Sequence, residues 1–436
     1  MREPLVVLGG GLAGLSAAYH LSGDVPVYEQ QTGLGGLCSQ ATAGGFRFDA
    51  VPHVLHFRQD STRAFVHQLL NGRLTSFTRQ ARVHSHGVST RYPFQAHLFG
   101  LPPAVIDECL QGRLAAARRG LYDTTNFERW ILSTFGEGIA KRFMVPYNTK
   151  FWTLPPSELT CEWVGGFVPV PSYEDMVRGA FEDDPTEYGY NVVFWYPSAG
   201  GLGAIVEGLL TRLPRVYLGK RLVRLETAAR RLHFADGEVV EYEQLLSSIP
   251  LPELKALLDP LPAAVASALD ALRWTSICVV HLGIQGAPAV PWDWVYEPDA
   301  EVSFYRVGFP SRYAPDAAPD GCHILSAEIS YSPWKPLDRA PLVPRVIHDL
   351  TRMELLHRAH DIVAQLPLEL RYGYPIYDRH YAWATSFLHT YLRQRGVIPI
   401  GRFGSWRYLS MEETLRDGQR AAELVSSEVG HVPIPH

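Results

Sequence analysis

The sequence has little of what would mark a nucleic-acid binder, a membrane protein or a disulfide-stapled secreted domain. Its 40 Lys and Arg are outnumbered by 45 Asp and Glu, a net charge of −5, so it carries no basic footprint for a polyanion or an anionic bilayer. No apolar run approaches the ~20 residues that a spanning helix needs. The 5 cysteines (Cys38, Cys109, Cys161, Cys278, Cys322) are odd in number and form no CxxC pair. That excludes a zinc knuckle or a disulfide framework and favours scattered thiols in a reducing compartment. No period of ~20–50 residues repeats and no low-complexity tract occurs. The chain enters an apolar strand at once, without the charged-then-apolar layout of a secretory signal. A cytoplasmic enzyme of two or three domains is expected for 436 residues of which 46% are apolar.

What is present is an ordered succession of elements. Leu5–Leu8 reads as a strand, Leu12–Leu21 as a helix and Val25–Tyr28 as a second strand, a βαβ opening. The pattern turns helical over Ala104–Leu110, Arg113–Arg119 and Asn126–Arg142, with Asn126 placed to cap. Residues 145–175 are rich in proline and aromatics and read as irregular. Residues 216–249 alternate around an Asp236-Gly237 turn as a β-ribbon. Strands are expected at Ile277–Leu282, Trp294–Tyr296, Ser303–Gly308 and Ile324–Ile329, and a helix pair at Pro336–Gln365. Strand Val397–Ile400 and a helix from Met411 to Val425 close the chain. This order suits an α/β fold: a doubly wound, Rossmann-like domain interrupted by a helical insertion and an antiparallel substrate sheet.

Gly9-Gly10-Gly11-Leu12-Ala13-Gly14 fits GxGxxG between the first strand and helix. In that setting Gly9 permits the turn, Gly11 admits a pyrophosphate and Gly14 lets helix pack on strand, while the helix N-terminus offers free N–H groups to the anion. Glu29 follows 20 residues after Gly9, where a carboxylate accepts ribose hydroxyls, with Gln30 beside it. A second glycine turn, Gly33-Leu-Gly35-Gly36-Leu37-Cys38-Ser39, lies just beyond and favours an extended dinucleotide of the FAD kind. On the ribbon, Leu222 and Val223 are expected to touch the same cofactor.

The segment Phe46-Arg-Phe-Asp49-Ala-Val-Pro-His53-Val-Leu-His56 resembles the flavin-side loop of the amine oxidase and protoporphyrinogen oxidase superfamily, and most closely the loop of the UDP-galactopyranose mutases. Further matches follow in that family's order. They are Arg91-Tyr92-Pro93-Phe94-Gln95, Pro146-Tyr147-Asn148-Thr-Lys150-Phe-Trp152, Cys161-Glu-Trp163-Val-Gly165, Gly189-Tyr-Asn191, Trp294-Val-Tyr296, Phe304-Tyr305-Arg306, Gly373-Tyr374-Pro375 and Gly401-Arg402-Phe-Gly404-Ser-Trp406-Arg-Tyr408. The resemblance implies that Gly401, Arg402 and Met411 approach FAD and that His53 lies against the flavin. It places Tyr92, Phe94, Gln95, Trp294 and Tyr296 on uridine, and Arg306, Tyr374 and Tyr408 on the diphosphate. Asn148, Trp152 and Asn191 would line the sugar space, with His53 and Arg306 the catalytic pair. Any one of these matches taken alone also reads as core aromatic packing or a structural histidine.

Two departures stand out. Val51-Pro52 precedes His53 where the family carries a glycine, and Phe167 stands where those mutases hold a diphosphate arginine. Arg178 and Arg312 are candidates to replace that charge, against the plainer reading of two solvated surface residues.

The reaction so implied is a ring contraction of a UDP-hexopyranose, in which reduced flavin N5 attacks the anomeric carbon and displaces UDP. FAD would be bound non-covalently and no metal is expected. The donor the resemblance implies is reduced nicotinamide, NAD(P)H, and with no second GxGxxG present its binding would be transient. The alternatives are an FAD-dependent oxidoreductase of the amine oxidase type acting on a small metabolite, and a flavin-binding protein without turnover. Residues 1–85, 191–265 and 391–436 are expected to form the FAD domain, 86–190 the helical insertion and 266–390 the antiparallel substrate domain.

Overall fold

The computed structural model describes residues 2–21 and 24–428, so the tail of the third expected FAD segment, 429–436, lies outside it. The opening strand, Arg2–Leu8, pairs in parallel with Val27–Tyr28 on one side and Val239–Ser247 on the other. Val216–Tyr217 and Val397–Pro399 extend the parallel set, and Leu222–Glu226 with Arg231–Phe234 adds an antiparallel edge. Successive residues of a strand point to opposite faces, and both faces here are covered. Val7 and Leu246 pack toward helices Leu12–His20 and Met411–Glu428. Val6, Leu8 and Leu245 pack toward helices Ala263–Asp270 and Tyr381–Arg393. A run such as Leu5-Val-Val-Leu8, apolar on both faces, is what a doubly wound sheet requires.

The second sheet runs in the order Ile362–Pro375, Trp274–Gln285, Cys322–Tyr331, Arg306–Gly308, Trp294–Tyr296, Ala81–Ser85, Val88–Arg91. Strand Ala81–Ser85 thus joins this sheet, although it falls inside the 1–85 segment expected for the FAD domain. Its pairing is antiparallel throughout except between Ala81–Ser85 and Trp294–Tyr296. Register places Tyr296, Arg306 and Glu328 side by side on three neighbouring strands.

The expected helix pair at 336–365 is one helix, Leu342–Arg352, followed by the 14-residue strand Ile362–Pro375. That strand alternates in burial, and its Pro367 is tolerated because the strand lies at the sheet edge. The strand expected over 303–308 is confined to Arg306–Gly308. Residues 145–175 are not irregular throughout. Val145–Trp152 is a helix that follows directly on the π turn Ala140–Met144 with Pro146 in its first turn, and Tyr173–Phe181 starts from a Ser172–Asp175 capping box. The two expected helices at 104–119 are a single helix, Pro103–Arg119, running through Gly112. Asn126 does cap Phe127–Ile139, its side chain accepting from Arg129 N–H at 2.9 Å, and the helix kinks at Gly136, which takes φ +79°. That helix passes through a π turn, Ala140–Met144, before Val145–Trp152 begins.

Candidate active site

Two cavities meet between the sheets. The larger, about 700 Å³, runs along the C-terminal ends of the parallel strands. Gly9, Gly11, Leu12, Ala13, Glu29, Gln30, Gly35, Gly36, Leu37, Leu222, Gly401, Arg402 and Met411 line it. Gly9 takes φ +99°, which a residue with a Cβ rarely adopts. A Cβ at Gly14 would meet Gly9 O at 2.0 Å, so that glycine serves helix-on-strand packing and not the cavity. Glu29 ties the loops together, Oε2 accepting from Gly10 N–H at 2.7 Å and Oε1 from Gln31 N–H at 2.8 Å. The cavity suits a dinucleotide on an internal test: a Cβ on Gly11 would meet nothing nearer than Gly36 Cα at 4.0 Å, so it would fill the cavity itself.

Three residues expected there do not line it. Gly14 packs as described, and Ser39 donates its N–H to Gly36 O at 3.1 Å as the turn closes. Val223 is out of phase with Leu222 by one residue and faces solvent, 39% exposed.

The smaller cavity, about 240 Å³, shares His53, Arg402 and Met411 with the first, so the two meet at those residues. The cross-strand row supplies its centre. Arg306 donates to both oxygens of the fully buried Glu328, Nε to Oε1 at 2.5 Å and Nη2 to Oε2 at 2.9 Å, and Tyr305 OH donates to Oε2 at 2.8 Å. Tyrosines surround the pair. Tyr374 and Tyr408 lie 5.4 Å apart by ring centroid, and the Arg402 guanidinium stands over both at 5.2 and 5.6 Å. Arg402 itself is held by carbonyls, Nε donating to Leu409 O at 2.9 Å and Nη1 to Gly373 O at 3.3 Å.

At the other end, Tyr92 and Tyr296 pack with centroids 4.9 Å apart, and Arg79 stands over Tyr92 at 4.7 Å. Gln95 fixes its amide by donating to Pro169 O at 2.8 Å, leaving its buried Oε1 unpaired among the described residues. Trp294 Nε1 is likewise buried and unpaired among them. Asn148 donates to Met144 O at 2.7 Å across the π turn, and Asn191 accepts from Arg79. Such turns re-aim side chains within a helix, and here Phe143, Met144, Tyr147 and Asn148 all reach the cleft.

Burial decides the charge states. His53 is pushed well below its ordinary 6.5 by desolvation, and then by the Arg306 and Arg402 charges. His56 is lowered to about 4, again chiefly by burial. The hydroxyls of Tyr92, Tyr147, Tyr374 and Tyr408 are all raised by burial, so they stay protonated and available as donors.

Of the expected substrate residues, Tyr92, Gln95, Asn148, Asn191, Trp294, Tyr296, Arg306, Tyr374 and Tyr408 line this cleft, with His53 at its inner end. Phe94 and Trp152 do not. Phe94 is fully buried and stacks on Phe143 at 5.0 Å, because its neighbours Tyr92 and Gln95 take the cleft side of the turn. Trp152 is 1% exposed and backs Trp163 and the tyrosines from the core. The Val51-Pro52 departure is absorbed without a positive φ, Val51 O accepting from His53 N–H at 2.7 Å. Arg178 pairs with Asp175 and Asp184, and Arg312 with Asp293, so neither lends its charge to the cleft. Tyr147, Tyr190 and Tyr305 stood inside quoted motifs without a role and line the cleft, whereas Arg79 and Glu328, which support it from behind, belonged to no motif. Only the register of Arg306 against a buried glutamate could have pointed to the last.

Among solved structures, a reduced UDP-galactopyranose mutase superposes with TM-score 0.92 at 27% identity, covering 98% of this chain and 96% of that one. Putrescine oxidase bound to putrescine (TM-score 0.66, 16% identity, 98% and 99% covered) shares the fold. So does an oxidoreductase from Methanosarcina mazei (TM-score 0.64, 14% identity, 97% and 100% covered). A curated relative, 4,4'-diaponeurosporene oxygenase of Staphylococcus aureus, is 40% identical over 58 residues, 13% of this chain, and the chain spans only 12% of that protein's length. The family described as flavin containing amine oxidoreductase matches residues 12–426, a span that takes in the GxGxxG helix, both sheets and the closing helix. With its glycine-floored dinucleotide cavity opening onto a second cleft, the chain belongs to the flavin-containing amine oxidoreductase family.

Proposed function

We propose that this flavoenzyme is a UDP-sugar mutase, interconverting the pyranose and furanose forms of a UDP-hexose with non-covalently bound FAD in the larger cavity. The observation that carries this reading is the charge of the cleft: Arg306 and Arg402 line it, and no Asp or Glu does among the described residues. Glu328, behind the cleft, pairs with Arg306 and Tyr305, which leaves Arg402 as the charge without a carboxylate partner among the described residues. Such a lining accepts an anion and repels the cationic amine that an amine oxidase needs. The likeness to a mutase structure at 27% identity supports the same choice.

When bound and reduced, the flavin would supply a nucleophilic nitrogen toward the anomeric carbon, with NAD(P)H as its transient reductant. The protein's share is positional and electrostatic. Arg306, Tyr374 and Tyr408 hold the diphosphate by the charge of the first and the two tyrosine hydroxyls kept protonated. Tyr92, Gln95, Trp294 and Tyr296 hold the uridine, with Gln95 Oε1 and Trp294 Nε1 as unspent partners for it. Asn148 and Asn191 face the sugar. His53, held neutral, leaves the charge beside the flavin constant across neutral pH. Phe94 and Trp152 act as scaffold. At 240 Å³ the cleft is smaller than the roughly 300–1,000 Å³ of small-molecule sites, so binding must widen it.

The second reading, an FAD-dependent oxidoreductase acting on a small metabolite, gains from Phe167, which gives an anion nothing to pair with. Turnover decides between them. A mutase converts UDP-galactofuranose only after reduction by dithionite or NAD(P)H and consumes no oxygen. Peroxide formation with a metabolite, and no UDP-sugar conversion, would refute it.

A further inference from the structure

Two guanidiniums at this cleft have no carboxylate partner among the described residues. Arg402 stands at the flavin end. The other is Arg58, five residues beyond His53 on the same loop. Its side chain is exposed at the cleft mouth and lies over the rings of Phe167 at 5.2 Å and Tyr190 at 4.6 Å, both of which line the cleft. Nη2 donates to Gly166 O at 3.3 Å. The neighbouring acid does not neutralise it. The carboxylate of Glu412, 2% exposed, is consumed by backbone, accepting from Arg58 N–H at 2.8 Å and Gln59 N–H at 2.9 Å. The base of the side chain is therefore pinned while its charge is left unspent.

The seat is shaped to it. Gly166 takes φ +80°, and a Cβ there would meet Arg58 Nη2 at 3.3 Å. Phe167 continues inward, its ring 5.0 Å from that of Tyr408, which in turn lies under Arg402. Arg58, Phe167, Tyr408 and Arg402 thus form a continuous line with a cation at each end.

We propose that Arg58 is a substrate-binding residue at the cleft mouth, contacting the anionic diphosphate portion of the substrate and selecting a phosphorylated ligand, with Phe167 as the platform that presents it. This rests on the reading of the cleft as a nucleotide-sugar site. A guanidinium stacked on aromatic rings keeps its in-plane N–H groups free for a phosphate, which a lysine in its place would not reproduce.

Flavin absorbance of the reduced holoenzyme, titrated with UDP and separately with uridine, tests the assignment. Arg58→Ala should weaken UDP by about tenfold or more and leave uridine affinity and flavin content unchanged. Arg58→Lys should recover only part of the loss, and Arg58→Ala/Phe167→Arg should recover most of it by placing the charge on the platform itself. Unchanged UDP affinity in Arg58→Ala would overturn the assignment while leaving the nucleotide-sugar reading standing. An equal loss for uridine would overturn it too, as a structural effect. Failure of the wild-type protein to bind UDP would overturn both.

Discussion

Arg306 does two jobs at once, and they can be separated. It faces the cleft, and it neutralises a carboxylate that has no exposure to solvent. Arg306→Ala should abolish UDP binding with flavin retained. It should also cost about 3–5 kcal/mol, because Glu328 is left charged and buried without a counter-charge, the Tyr305 hydroxyl its remaining partner. Arg306→Ala/Glu328→Gln should regain most of that stability and none of the UDP affinity, read by thermal midpoint beside the same titration. Recovery of binding in the double variant would refute the role in ligand recognition. At this scale the sequence was legible where residue type and local spacing dictate chemistry, as with Gly9, Gly11 and Glu29. It was not legible where one rotation decides the outcome. Phe94 and Gln95 are adjacent, and nothing in the chain says which of them faces the cleft. Arg58 belongs to no motif, and only the absence of a carboxylate beside it in space marks it out.

Among the elements, the run from Phe127 to Trp152 matters most, because it carries Phe143, Met144, Tyr147 and Asn148 into the cleft. Its position is set by a crossing with helix Pro103–Arg119 that leaves no room for side chains. A Cβ on Gly138 would meet Glu108 O at 2.2 Å, and one on Gly136 would meet Gly112 O at 2.0 Å. Gly138→Val should force the helices apart at about 1–3 kcal/mol and weaken UDP binding while flavin content holds, measured by thermal midpoint and titration. Flavin loss in step with UDP affinity would show that the helical insertion does not act separately. The crossing could not be read beforehand, since a glycine inside a helix pattern signals weakness as readily as close approach. The π turn was equally hidden, for it follows from tertiary packing and not from propensity. The βαβ opening and the Asn126 cap were legible, because a strand buried on both faces and a capping side chain each leave a local pattern.

For the whole molecule, the buried histidines set a pH limit. His56, His97, His281 and His389 are each lowered to about 4, first by burial, against 6.5 when solvated. The unfolded chain therefore takes up protons before the folded one does. Stability from these groups is present above pH 6.5 and is lost as pH falls toward 4. For His97 and His281, 3% and 1% exposed, the slope reaches about 1.4 kcal/mol per pH unit each. The thermal midpoint should fall steadily over that window, and less steeply in His281→Asn. An unchanged slope in that variant would remove His281 from the account. The two-sheet plan was legible from strand order, whereas strand Ala81–Ser85 joined the second sheet through a pairing with Trp294–Tyr296 too distant in sequence for local pattern to reveal. The split of the cofactor sheet has a consequence for biosynthesis. Its strands come from residues 2–8, 27–28, 216–247 and 397–399, and Gly401, Arg402 and Met411 complete the cavity wall. During translation, 388 residues must emerge between the first strand of that sheet and its last. The nascent chain thus carries an open cradle until residues 397–411 have emerged, and flavin loading must wait for them.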